Sequence, residues 1–253
     1  MISTLDRFVA ARLKIERADK HIADIEKNIL SLPDAHTISI QTNPQTGKPC
    51  IKFEIGDIRK VSVQLGLMVG DAIHNLRTAL DYTWIGTIER HVPSIASKFS
   101  KFPVQETRKM VEGILKGRKI QIDVSCPALY KLIVSDIKPY LGGEESIYYL
   151  HYLDVADKHL LLIPVMNLNV IRNVAFKNKE TGQIIRGGAW ATPEPGIHFV
   201  DFPEGRWDIE DNGQLAVAVI FSDIEYMHGM EVLRSLQFFS KLTLQTVKLL
   251  ESF

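Results

Sequence analysis

Apolar side chains recur at spacings of three, four and seven along the opening segment. Leu5, Phe8, Ile15, Ile22, Ile25, Ile29 and Leu32 fall with Arg12 on one face, and charges fill the other. That pattern predicts an amphipathic helix over 4–32, with Thr4 placed to cap its start and Pro33 to end it. The period then changes. His36-Thr-Ile-Ser-Ile-Gln-Thr and Cys50-Ile-Lys-Phe-Glu-Ile alternate apolar and polar around the turn-forming Asn43-Pro-Gln-Thr-Gly-Lys, which predicts a β-hairpin. Two strands alone are marginal, so this hairpin must lean on another part of the chain. The helical period returns over 57–92, the longest predicted helix, and stops before Pro93. Shorter helices are predicted at 105–117 and 127–138, bounded by Pro103, Gly117, Pro127 and Pro139, and another at 144–162, entered after Gly142-Gly143 and stopped by Pro164.

From 165 to 222 the period is two. Strands are predicted at Val170-Ile-Arg-Asn-Val-Ala-Phe, Gln183-Ile-Ile-Arg-Gly, Ile197-His-Phe-Val-Asp-Phe and Leu215-Ala-Val-Ala-Val-Ile-Phe. Asn178-Lys-Glu-Thr-Gly, Pro193-Glu-Pro-Gly and Asp211-Asn-Gly separate them. No helix intervenes, so the sheet is expected to be antiparallel. A last helix, about 228–251, carries Met230, Leu233, Leu236, Leu244, Val247 and Leu250 on its apolar side. The expected fold is therefore α+β in one domain, 1–253. A bundle of long antiparallel helices (1–35, 57–162 and 228–253) carries the β-hairpin 36–56 and an inserted antiparallel β-sheet, 163–225.

Composition narrows the function classes. Lys+Arg and Asp+Glu are each 30 of 253 residues, so the net charge is zero. A phosphate-neutralising nucleic-acid binder carries a basic excess, and none is present here globally. Nucleic acid remains open as a partner only through a local patch. Near-zero charge favours self-association, and a homodimer is expected. Cys50 and Cys126 sit in no ligand spacing and are read as reduced thiols. No signal-peptide core opens the chain, and no apolar run approaches the ~20 residues that span a bilayer. We expect a cytoplasmic protein without a membrane partner.

Candidate chemistry is concentrated on two of the predicted helices. On the long one, Leu65, Met68, Val69, Ala72, Leu76, Ala79, Leu80 and Thr83 gather with Ile58 and Val61 on one side. The other side carries Asp71, His74, Arg77, Thr78 and Asp81, with His74 and Arg77 at neighbour spacing to Asp81. Short acids, an imidazole and a planar cation suit directed hydrogen bonds better than a solvated Lys/Glu face does. On the helix 144–162, Asp154 and Asp157 share a face with Ile147, Leu150 and Leu161, flanked by His151 and Lys158, while His159 groups with Tyr148 and Tyr152. A buried carboxylate needs a partner. Arg77 and Lys158 are the cations placed to serve, so the two helices should face each other with Arg77 near Asp154 or Asp157. Two acids three apart beside a His lack the specificity of a metal signature, so neither metal nor cofactor is expected.

Gly70-Asp71-Ala-Ile-His74-Asn75-Leu-Arg77-Thr-Ala-Leu80-Asp81, together with Phe102-Pro103 and Asp157-Lys158-His159, resembles an uncharacterised bacterial family with GDxxHNLRxALD and DKH motifs. The resemblance spans roughly 60–165 and implies no assigned activity. The long helix is also similar to the HEPN superfamily, helical proteins that often act as RNases through an Arg, four to six residues, then a His. Tyr82, Thr83 and Trp84 stand at those positions after Arg77. Tyr82, with an ordinary pKa near 10, is a poor general base at neutral pH.

Three readings follow. The first is a binding or interaction protein whose polar inter-helix site combines Asp71, His74, Asn75, Arg77 and Asp81 with Asp154, Asp157, Lys158 and His159. The second is a HEPN-like RNase or nucleotide-processing enzyme. In it, Arg77 holds a phosphate, Asp81 orients His74, and His74 moves the proton. The third makes the motifs purely architectural, with Asp157 holding a buried cation.

Overall fold

Asp6 begins the first helix: its Oδ1 accepts from the backbone N–H of Phe8 at 2.8 Å and of Val9 at 3.1 Å, satisfying donors a helix start leaves open. Helix α1, Arg7–Leu30, buries Phe8, Ala11, Ile15, Ala18, Ile22 and Ile25 on one stripe, the face expected from the sequence. The computed structural model describes residues 6–30, 36–55, 59–98, 100–118, 120–160, 163–187, 190–192 and 196–253. Thr4, Leu5, Leu32, Pro33, Ile58, Leu161, Gly188 and the turn at 193–195 lie outside them.

Among the described residues the chain is α+β, with seven α-helices and nine strands. Strands β1 (His36–Thr42) and β2 (Pro49–Ile55) form the predicted hairpin. Helix α2 (Arg59–His91) follows, then a 3-10 turn at Pro93–Lys98. Helices α3 (Arg108–Leu115), α4 (Ile122–Ser125) and α5 (Pro127–Lys131) come next, and α5 runs into a π-helical stretch, Leu132–Ile137. Lys138, with φ of 55°, ends that stretch. Helix α6 spans Glu145–Leu160, and the terminal helix α7 spans Val232–Ser252. Helix α1 runs antiparallel to both of its long neighbours. Arg7 meets Glu89 and Lys14 meets Asn75 on α2, while Arg12 meets Glu251 and Asp19 meets Ser240 on α7. The main core fills the space between these helices and includes Leu65, Val69, Ala72, Leu76, Ala79, Leu80 and Trp84 of α2.

The β-region departs from a single inserted sheet. Strands β3 (Val165–Arg172), β4 (Ala175–Asn178), β5 (Ile184–Arg186), β6 (Trp190–Thr192), β7 (Gly196–Asp201), β8 (Trp207–Asp211) and β9 (Gln214–Phe221) divide among three antiparallel three-stranded sheets. Their orders are β1-β2-β7, β6-β3-β9 and β5-β4-β8. The hairpin therefore leans on β7 of the insertion. A second hydrophobic cluster, Ile51, Phe53, Ile171, Val174 and Phe176, joins the sheets beneath it. The strand expected over 170–176 is broken at Asn173, whose φ of 61° turns the chain out of the extended region. The last helix starts at Val232 and not at 228, because Tyr226 (φ 67°) and Gly229 (φ 77°) hold a turn there. Met230 precedes that helix and is exposed, so it is not part of the helix's apolar side. No helix among the described residues is long and apolar enough to cross a membrane.

Gly213 closes the tight turn between β8 and β9. Its φ is +69°, and a Cβ there would strike the Arg172 carbonyl and lie 2.8 Å from Val174 Cγ2. Backbone cannot yield as a side-chain tip can. Gly213→Ala should therefore lower unfolding free energy by about 1–3 kcal/mol in urea titrations.

Candidate functional site

Helices α2 and α6 face each other in antiparallel register. Gly70 lies opposite Asp157, His74 opposite Asp154, and Arg77 opposite His151. Spacings of four and three on one helix meet spacings of three and three on the other, one turn at a time. The two sequence motifs thus form a single seam. Gly70 is where the seam is tightest: a Cβ there would collide with Asp157 Oδ1 and lie 2.9 Å from its Cγ.

The inner half of the seam is closed. Arg77 is only 3% exposed. Its Nη1 donates to Asp81 Oδ1 at 2.6 Å, its Nη2 to the Phe102 carbonyl at 2.9 Å, and its Nε to His151 Nδ1 at 3.3 Å. Asp81 Oδ1 also accepts from the Phe102 N–H at 2.7 Å. Arg77 and Asp81 therefore grip both polar groups of one residue's backbone, and the Phe102 ring packs edge-on against Trp84 with centroids 6.0 Å apart. Burial lowers the Arg77 pKa, opposed by attraction to Asp81 and then Asp154; burial likewise raises Asp81, opposed by Arg77. Removing one member of such a pair strands the other's charge, at a cost of about 3–5 kcal/mol. The direct partner of Arg77 is thus Asp81 on its own helix. Asp154 acts on it only through space, and Asp157 makes no ion pair with it among the described residues.

His151 joins this half, although the sequence suggested only a flanking position. A guanidinium N–H can only donate, so Nδ1 holds the lone pair and the proton sits on Nε2. Burial, and then the neighbouring Arg77 charge, push the His151 pKa down to about 4. The ring is a neutral donor at physiological pH. The signal for it was its place three residues before Asp154 and six before Asp157.

The outer half is open. The Asp154 side chain, 6% exposed, holds His74 Nδ1 at 3.1 Å through Oδ1 and Lys158 Nζ at 2.5 Å through Oδ2. Those two partners are 51% and 48% exposed. A carboxylate only accepts, so His74 donates through Nδ1. Asp157 stands beside them. Its pKa is raised by burial first, then by the charges of Asp154 and Asp71. Among the described residues it has no hydrogen bond or ion pair, and no buried cation stands against it there.

Two of the expected site residues fall outside the seam. Asn75 donates to the Asp71 carbonyl at 2.8 Å and accepts from Lys14 at 3.2 Å, which ties α1 to α2. His159 is exposed and makes none of the seam's contacts; Tyr148 and Tyr152 group instead with Tyr149 and Tyr226. Among the described residues no group of three His, Cys, Asp or Glu is placed to hold a metal ion. Comparison with protein-family models, curated proteins and solved structures finds no match.

The low His151 pKa has a sign that stability measurements can read. The unfolded chain takes up this proton near 6.5, the folded chain only near about 4. Stability should therefore fall as pH drops through that window. The raised Asp81 and Asp157 act in the opposite direction, since the folded chain protonates them first. His151→Asn keeps an acceptor for Arg77 and removes the titration. Across the window, wild type should lose on the order of 3 kcal/mol more than this variant in urea titrations.

Proposed function

We propose that this chain is a binding protein, working as a homodimer, whose ligand or partner engages the open half of the α2–α6 seam. The observation that carries the reading is the state of Asp154. A carboxylate this deeply buried is held by a histidine and a lysine from two helices, each about half exposed. Here the His74 ring and the Lys158 ammonium face solvent, beside Asp157, which has no ion pair among the described residues. They offer a polar ligand donors and an acceptor at fixed positions, and little ordering cost remains to be met on binding.

The test is a melting-temperature screen against nucleotides, divalent metals and RNA, because a ligand that binds only the folded chain raises the midpoint. At least one class should raise the wild-type midpoint, and His74→Gln and Lys158→Gln, both exposed, should abolish the rise. A wild type unmoved by every class, or a rise that survives in both variants, would remove this reading. Self-association is checked by light scattering: a dimer mass is expected, and a strict monomer at high micromolar concentration would remove the homodimer.

A second reading, HEPN-like RNA cleavage, draws on one feature: Asp154 orients His74 as a carboxylate orients a general base. The roles differ from those first assigned, since Asp81 serves Arg77 and Phe102 rather than His74. With its guanidinium buried and all three nitrogens bonded within the protein, Arg77 has little surface to offer a phosphate. Absence of cleavage across an RNA panel by wild type would end this reading, while cleavage lost in His74→Ala would replace the first.

A further inference from the structure

His151 also lines a cleft of about 240 Å³. Val104, Gln105 and Met110 line one wall, and Tyr148, His151, Tyr152 and Val155 of α6 line the other. We propose that this cleft is a second, separate binding site for a small, flat, uncharged ring that carries a hydrogen-bond acceptor such as an amide carbonyl.

Three features of the cleft set that chemistry. The first is the donor. His151 Nδ1 is committed to Arg77, which fixes the proton on Nε2, and among the described residues Nε2 has no protein partner. The ring lines both this cleft and a neighbouring one beside Lys101 and Phe102; its Nε2 donor, which cannot switch to accepting while Arg77 stays in place, is assigned to the first.

Charge is the second feature. Arg77, Lys101 and Lys158 act on the His151 ring against Asp154, and Glu106 lines the cleft. Cations and anions therefore both stand at the ring and its cleft, and a neutral acceptor suits that balance.

The third is shape and unmet apolar surface. Met110 is 48% and Val155 37% exposed, and Tyr148 and Tyr152 belong to a packed tyrosine group held by Tyr226. Phenol rings pre-ordered in this way bind a ring at low entropic cost. A void of about 150 Å³ accepts a benzene ring, so this cleft has room for one substituted ring.

The site does not depend on His74, Asp154 or Lys158, and its test keeps the two apart. Benzamide is titrated into the labelled full chain while the Tyr148 and Tyr152 ring signals and the His151 Nε2 signal are followed by NMR. Benzoate and benzylamine serve as charged counterparts. Benzamide should shift all three signals saturably, with a dissociation constant of about 1 mM for so small a ligand. Both counterparts should bind at least about tenfold more weakly, roughly 1.4 kcal/mol. Val155→Arg, a change at an exposed position, should abolish the shifts, whereas His74→Gln should leave them intact. No shift with benzamide, equal binding of either counterpart, or shifts that persist in Val155→Arg would overturn the proposal.

Discussion

The seam depends on a single buried cation. A guanidinium removed from water is tolerated only when its donors are met and its charge is answered. Arg77 meets that condition with three different kinds of acceptor: a carboxylate on its own helix, a backbone carbonyl from the segment after the 3-10 turn, and an imidazole from α6. Two of these acceptors bring a different piece of chain to α2. The Phe102 segment is clipped down, α6 is set in register, and Asp81 is fixed so that it can also receive the Phe102 N–H. The polar residues of the motif thus act as assembly devices before they act as anything else.

The same arrangement divides the stripe by role. One turn along the seam, burial gives way to exposure, and carboxylate–cation pairing changes character with it. Around Arg77 every partner is consumed internally. Around Asp154 the acid is sequestered while its histidine and lysine partners remain wet. His151 stands at the boundary. It is held neutral by burial and by the charge it faces, so it separates two environments with opposite demands on a ligand.

Periodicity carried the helical part of this fold well, because long amphipathic stripes such as Phe8 to Ile25 report burial directly. The facing of α2 and α6 is as expected but the pairing is not: Arg77 takes Asp81, Asp154 takes His74 and Lys158, and Asp157 has no ion pair among the described residues. Periodicity failed where tertiary structure overrides local pattern. Nothing local to Asn173 separates an unbroken strand from one turned by a positive φ, and nothing in the hairpin names β7 as its neighbour. Strand β8, Trp-Asp-Ile-Glu-Asp, does alternate, and the turn residues around it hid that signal. At the site, the i,i+4 spacing of Arg77 and Asp81 was legible, yet the cross-helix acids drew attention away from it. The Phe102 backbone could not be anticipated at all, because a main-chain acceptor has no sequence signature.

The missing side chain at Gly70 ties together two positions distant in the chain. Helices α2 and α6 approach there closely enough that the Asp157 carboxylate occupies the volume a methyl group would need. A larger residue at 70 is therefore accommodated only where the Asp157 side chain turns away or is itself smaller, so the choice at one position constrains the rotamer at the other.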